Sequence, residues 1–417
     1  IIKTALASNN RKYRGAGVAL RNGDEMDIKE ISVRNFKSLY DVSFEPGKIN
    51  VLIGANGSGK SSVLEAIGIL SAAMTDRVNN NSLQRKGVRL SASSLYKSQF
   101  SSIDRSMPTI DFAMKWEREG NIYDYSVHLT TPTDDDIWKY HSESVSKNGE
   151  MVFGRSNRSS VQLNNKVGYF ALSDKLSGKE YTSMGDYISG YGIYQPDTLT
   201  LRGTVTDPAQ VTPIGLNGGR LADAMEDLFS VNEEGGLFGS MSMEDVLELI
   251  EWASDFRIAK PRKSNLNPGV PSPRQVIEFR DQFLKEKASF TGYDASEGAL
   301  YVLFMLTLAM HPSAPEMFAI DSFDHALNPR LAKRVTEIFS QLIVNAGKTV
   351  FMTTHNPLVL DGLNLADDRI RLFAVNRSRS GYVQLKRIRI SDELLQTGQS
   401  LSRLWINGML GGVPELI

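Results

Sequence analysis

Val51-Leu-Ile-Gly-Ala-Asn-Gly-Ser-Gly-Lys-Ser-Ser62 decides the fold. An apolar run ends in Gly54, the spacing Gly-x4-Gly-Lys-Ser follows, and Val63-Leu-Glu-Ala-Ile-Gly-Ile-Leu70 then has helix-forming character. This strand–loop–helix context is what gives the glycine spacing its meaning. Gly54, Gly57 and Gly59 let the backbone curl so that its N–H groups face one anion, at a helix N-terminus whose dipole favours negative charge. Lys60 is placed to reach β- and γ-phosphates, and the Ser61 hydroxyl to ligate Mg2+. A plain glycine-rich turn would not need Lys-Ser at this spacing. Asn56, Gly57, Gly59, Lys60, Ser61 and Ser62 are therefore the expected binding set for a nucleoside triphosphate.

Composition sets the outer limits. A chain of 417 residues with 41% apolar content can bury a large core in two or three structural units. Its net charge of −1 and pI near 6.6 give no global basic field that would demand nucleic acid. The absence of cysteine rules out disulfides, zinc–thiolate sites and thiol catalysis, and fits a reducing cytoplasm. No apolar run approaches the ~18 residues of a membrane span. The chain starts at Ile1 without methionine, so its first residues leave the question of a targeting segment open.

Around the glycine loop the pattern alternates between two periods. Residues 1–26 read as a polar tail. Strands are expected at 28–36, 42–44 and 49–53, and residues 75–105, rich in Asn, Ser and Arg, read as exposed loop or broken helix. Period-2 alternation predicts antiparallel strands at 110–116, 123–129 and 167–171, with Glu-Gly-Asn and Asn-Gly turns. Helices are expected at 220–229 and 243–252, and the three prolines of 261–273 mark a linker. Then come a strand at 276–279, a helix at 296–310, a buried strand at 317–320, a helix from Pro329 to about Val344, and a strand at 349–353. Apolar strands alternating with helices imply an α/β fold, a mostly parallel sheet flanked by helices, here with an antiparallel β layer and a helical insert. The expected division is a tail at 1–26, an N-lobe at 27–200, a helical insert and linker at 201–272 and a C-lobe at 273–417.

Three further segments read as nucleotide chemistry. Met317-Phe-Ala-Ile-Asp321 delivers a carboxylate at the C-terminal end of an apolar strand, where open α/β sheets bind ligands. Asp321 would hold Mg2+ together with Ser61. Thr349-Val-Phe-Met-Thr-Thr-His355 ends a second strand in an imidazole that can contact a γ-phosphate or polarise a water. Asp294-Ala-Ser-Glu-Gly-Ala-Leu300 opens a long apolar helix, with Ser296 and Gly298 at another anion-binding N-terminus.

The order Gly-x4-Gly-Lys-Ser, Ser-Glu-Gly, apolar-Asp, Thr-Thr-His resembles the ABC-type P-loop ATPase heads of the RecF/SMC group. The likeness covers about residues 27–412 and includes Ile31 to Ser38, Glu143 to Arg155, Pro213 to Ala222, Pro357 to Leu363 and Ser402 to Gly408. It is strongest to the AAA-labelled ATPases of bacterial anti-phage operons, the Septu- and retron-associated kind, which partner a nuclease. The resemblance implies ATP and Mg2+ as cofactors, a homodimer or higher oligomer with composite ATP sites completed by Ser296 and Gly298 of another subunit, a nuclease effector as partner, and contact with DNA or RNA in some members.

One position departs from that pattern. The family usually carries Glu after the strand Asp, as the base that orients the attacking water. Here Asp321 is followed by Ser322, whose hydroxyl cannot take a proton at neutral pH without a base of its own. Asp324 is the nearest carboxylate, so Asp321, Asp324 and His355 form the expected catalytic set, with binding intact and turnover slow or absent. Three functions compete: a nucleotide-gated regulator of a partner effector, a RecF-like motor of DNA repair or loading, and a scaffold in which ATP is structural. Ser322 favours the first and third, and the lack of heptads disfavours SMC-style bridging.

Overall fold

The computed structural model describes residues 26–75, 77–102, 107–133, 135–155, 164–168, 179–230, 237–263, 266–271, 273–285, 288–389 and 398–412. The glycine loop's own strand organises them. β3 (Ile49–Ile53) is buried at every position and lies in the middle of a six-stranded sheet. Its neighbours are β15 (Thr349–Thr353) and β16 (Ile370–Arg377), both parallel to it. β14 (Met317–Ile320) and β8 (Ile193–Tyr194) continue the parallel set on one side, and β17 (Val383–Ile388) closes the other side antiparallel.

Continuous apolar runs form such strands because both sheet faces are covered. Side chains alternate between two cores. Val51, Ile53, Phe318, Ile320, Val350 and Met352 enter one, with the helices α7 (Glu297–Met310) and α8 (Pro329–Asn345). Leu52, Met317, Ala319, Phe351 and Phe373 enter the other, with α1 (Lys60–Thr75). α7 is buried from Ala299 to Ala309, as its lack of a polar face demands. α8 buries only one side and starts with Asn328 capping the Leu331 N–H and Pro329 in its first turn.

Above α1 lies the antiparallel layer β2-β1-β4-β5-β6-β7, formed by β1 (Asp27–Phe36), β2 (Leu39–Phe44), β4 (Ile110–Arg118), β5 (Asn121–Thr130), β6 (Lys139–Lys147) and β7 (Glu150–Arg155). Glu119-Gly120 and Asn148-Gly149 all have positive φ, the two-residue turns that match the twist of a hairpin. β6 and β7 were not legible as strands. β6 reads Lys-Tyr-His-Ser-Glu-Ser-Val-Ser-Lys, and one of its inward residues is Glu143, whose carboxylate is 1% exposed and bound by Tyr125 and Arg155.

Three local expectations need correction. The helix expected at 243–252 stops at Leu247 (α6, Met243–Leu247), because Trp252 turns over to stack on Phe290 (5.3 Å between rings) and the chain continues as β11 (Ala253–Ala259). β11 pairs with β12 (Val276–Asp281), and β12 with β13 (Ser289–Thr291), so the proline-bearing stretch 261–273 joins two paired strands. Within 75–105, read as exposed loop or broken helix, a short helix does form, α2 (Asn80–Arg85), closed by an Asn79–Ser82 capping box. The stretch is not exposed throughout, since Val78, Leu83, Val88 and Tyr96 are buried. In the strand expected at 167–171, Val167 and Gly168 lie outside any strand and the rest falls outside the described residues. The remaining labels are α3 (Lys179–Ser189), α4 (Thr198–Leu201), α5 (Leu221–Ser230), α9 (Pro357–Leu360), α10 (Leu401–Ile406) and a small hairpin of β9 (Leu237–Phe238) and β10 (Met241–Ser242).

Candidate functional site

β3 ends at Ile53 and the chain turns through Gly54–Gly59 into α1. Gly57 and Gly59 have φ of +72° and +110°, conformations that side-chained residues avoid. A Cβ on Gly59 would stand 2.5 Å from Val383 Cγ2, and one on Gly54 2.4 Å from the Val375 carbonyl. These glycines are required by space as well as by backbone. Ser58 N–H turns inward to the Ala55 carbonyl (3.2 Å), while the N–H groups of Asn56, Gly57 and Gly59 meet no acceptor among the described residues. Free amides at the start of a 16-residue helix form an anion cradle.

Lys60 is 7% exposed and folds its ammonium onto the Gly54 and Ala55 carbonyls (2.8 and 3.0 Å). Burial holds its pKa below the usual lysine value, partly offset by Asp321 and Asp324. One residue on, the Ser61 hydroxyl donates to Asp321 Oδ2 at 2.9 Å. The other oxygen of Asp321 accepts from the Thr353 hydroxyl at the end of β15. Thr353 Oγ1 in turn accepts the Ser322 N–H (2.8 Å). The ends of β3, β14 and β15 thus converge on one carboxylate, at the C-terminal edge of the parallel sheet.

Asp324 accepts the His355 backbone N–H (3.2 Å), which places the imidazole beside the same edge. His355 reaches solvent, yet burial of its ring and then the nearby Lys60 charge lower its pKa against the pull of Asp324 and Asp321. Ser322 sits at φ +60°, so its side chain leaves a left-handed turn. Lys60, Ser61, Asp321, Asp324 and His355 are therefore brought together, and Ser62 is buried behind them in the first turn of α1.

Ser296 and Gly298 belong to a different cluster. Ser296 is exposed and caps α7 by accepting the Ala299 N–H (3.4 Å). A Cβ on Gly298 would be 3.1 Å from the Ala326 carbonyl, so glycine lets the loop after Asp321 pass close. Glu297 accepts from the Thr198 hydroxyl in α4 and lies 3.6 Å from His325 Nε2. None of these contacts reaches the glycine loop of the same chain.

Several neighbours of the site were not legible beforehand. Thr353 reads only as a β-branched strand residue. Gln195 follows β8, level with Asp321, whose N–H donates to the Tyr194 carbonyl (2.9 Å). Glu65, one turn into α1 and 2% exposed, binds Lys37 (2.5 Å) and Arg89 (2.6 Å). The ion pair with Glu65 raises the Arg89 pKa, and Asp321 adds to the effect. A carboxylate on an apolar helix is the signal that would have pointed to buried partners.

Comparison with known proteins agrees with this geometry. A family model described as "AAA ATPase domain" matches residues 26–142, and one described as "AAA domain, putative AbiEii toxin, Type IV TA system" matches residues 247–361. An SMC head bound to the C-winged helix domain of ScpA superposes with a TM-score of 0.54 at 13% identity, covering 89% of this chain and all of that one. The fold is that of an SMC-type ATPase head. An Smc head from Pyrococcus furiosus with an extended coiled coil, bound to the C-terminal domain of ScpA, gives a TM-score of 0.50 over 89% of this chain and 99% of that one, again at 13% identity. Two AAA-type segments thus lie within a chain that has the fold of an SMC head.

Locally, 53 residues are 49% identical to the DNA replication and repair protein RecF of Pseudomonas fluorescens and 47% identical to that of Pseudomonas syringae pv. tomato. That match covers 12% of this chain and 14% of each RecF. No helix among the described residues is long and apolar enough to cross a membrane.

Proposed function

We propose that this chain binds ATP with Mg2+ in the Gly54–Ser62 loop, and that nucleotide occupancy joins copies of the chain and gates a partner effector. The observation that carries the reading is the contact of Ser61 with Asp321, which couples the loop to the strand-end carboxylate. One carboxylate and one hydroxyl suit Mg2+, which keeps several waters and takes its other ligands from phosphates. Clusters of three or more His, Cys, Asp or Glu, of the sort dedicated protein cages use, are absent among the described residues. When bound, Mg2+ would neutralise charge on the β- and γ-oxygens.

The chain's own residues supply the rest. The free loop amides take the phosphate oxygens, and Lys60 exchanges the Gly54 and Ala55 carbonyls for them. Thr353 aims Asp321. Ser296 and Gly298 lie apart from this set, so they suit the nucleotide of a second copy, giving a homodimer or higher oligomer. Turnover is expected to be slow: Ser322 offers no base, and Asp324 already holds the His355 amide. His355 stands beside the same edge, its pKa lowered by burial and by the Lys60 charge.

The second matching family is described as a putative toxin of a Type IV TA system, which supports a chain that works with a partner. The sequence resemblance is what suggests anti-phage defence, with a nuclease as the gated partner. The RecF match favours a second reading, an ATP-hydrolysing protein of DNA repair or loading. The two separate on one measurement. Purified chain that retains intact ATP is a switch, whereas turnover at the ~1–10 s⁻¹ of ordinary enzymes marks a motor.

A further inference from the structure

Trp252 lies outside every motif that the nucleotide reading uses. Its indole N–H donates to Ser296 Oγ at 3.2 Å, across 44 residues of sequence. The ring is fixed by aromatic neighbours, stacked on Phe290 (5.3 Å, 27° between planes) and tilted against Phe279 (5.3 Å). Phe279 and Phe290 belong to paired strands β12 and β13. The indole therefore reports the position of that sheet to the serine.

A serine hydroxyl has one hydrogen to give and two lone pairs with which to accept. Both lone pairs of Ser296 are engaged, one by the Ala299 N–H at 3.4 Å and one by Trp252. No acceptor for its hydrogen stands among the described residues. The hydroxyl is thereby left able to act in one sense only, as a donor. Cation ligation or acceptance from another N–H would require Trp252 to let go.

We infer that Trp252 is a positioning residue that fixes Ser296 as a hydrogen-bond donor toward a terminal phosphate oxygen held by a second copy of the chain. The inference rests on the composite-site reading given above. It adds that the donor sense of Ser296 is set by the β11–β13 sheet and not by α7 alone.

The test is a double-mutant cycle on nucleotide-linked dimerisation, read by static light scattering over a concentration series with the full chain and Mg-ATP. Trp252→Phe keeps an aromatic ring against Phe279 and Phe290 and removes the N–H together with the five-membered ring. It should weaken the dimer roughly two- to tenfold while leaving ATP affinity of the single chain unchanged. In a Ser296→Ala background the same change should have no further effect. Multiplying effects, or a Trp252→Phe chain that dimerises like the parent, overturn the inference and leave the composite site standing. A Ser296→Ala chain that dimerises like the parent overturns the composite site and this inference with it. A second measurement avoids altering Trp252. Ser296→Ala should shift the Trp252 indole N–H resonance as the hydrogen bond is lost, and an unmoved resonance overturns the assignment.

Discussion

Ser61 and Asp321 stand 260 residues apart in the chain and 2.9 Å apart in the fold. The pair is a product of the parallel sheet. β3 and β14 both bind β15, so the loop after one and the carboxylate after the other emerge at one edge. Thr353, on β15 itself, stands between them and holds the second carboxylate oxygen. The site is therefore assembled by strand order before any ligand arrives, and the following tests address its separate parts.

Lys60→Ala should abolish ATP binding. The lysine is the flexible cation of the loop, and removing a charge-assisted contact of this kind costs about 3 kcal/mol, or roughly a hundredfold in affinity. Calorimetry on folded protein checks it. An unchanged dissociation constant would take the loop out of the nucleotide site.

Ser296→Arg should leave ATP affinity near that of the parent while weakening nucleotide-linked assembly, because the arginine would crowd the cap of α7. Mass measured by light scattering with and without Mg-ATP decides this. The same ATP-dependent mass in both proteins counts against a composite site.

Parent turnover should be slow, and Ser322→Glu should raise it, by up to the ~10²–10⁴ that a positioned base contributes. Residual parent activity should fall on replacing Asp324 or His355. Phosphate release under single-turnover conditions provides the measurement. A fast parent, indifferent to Ser322→Glu, would favour the motor reading.

Lys348 gives a pH test of the fold itself. It is buried at the end of α7, donates to the Ala309 and His311 carbonyls, and burial pushes its pKa from 10.5 down to about 8. The unfolded chain then holds a proton that the folded chain has released, so stability rises as pH climbs from about 8 to 10.5. Lys348→Met should abolish this gain. The melting temperature of the parent relative to the variant should increase with pH across that window, and a constant difference would refute the claim.

How much of this was legible depended on whether the signal was local. β3, β14 and β15 announced themselves because strands buried on both faces are mostly apolar, with Asn50, Thr349 and Thr353 the buried polar exceptions. Lys60, Ser61 and Asp321 were legible because loop chemistry and strand ends are local. Trp252 was hidden inside a stretch with helical periodicity, since nothing near it in sequence reveals the stacking on Phe290 that ends the helix. Arg89 and Lys37 were hidden for a related reason, as their shared partner Glu65 lies on another element. Thr353 looked like any β-branched strand residue until its hydroxyl found Asp321.

The left-handed turn at Ser322 has a mechanical consequence. A side-chained residue at φ +60° stores about 1–2 kcal/mol, and only the surrounding contacts keep it there. Three contacts do so: the His325 N–H to the Ser322 carbonyl, the Phe323 N–H to the Thr353 carbonyl, and the Ser322 N–H to Thr353 Oγ1, the same oxygen whose hydrogen points at Asp321. Relaxing the turn would loosen Thr353, and loosening Thr353 would leave the carboxylate held by Ser61 alone. Peptide strain and carboxylate aim are thus one coordinate, a spring whose tension is read at Asp321.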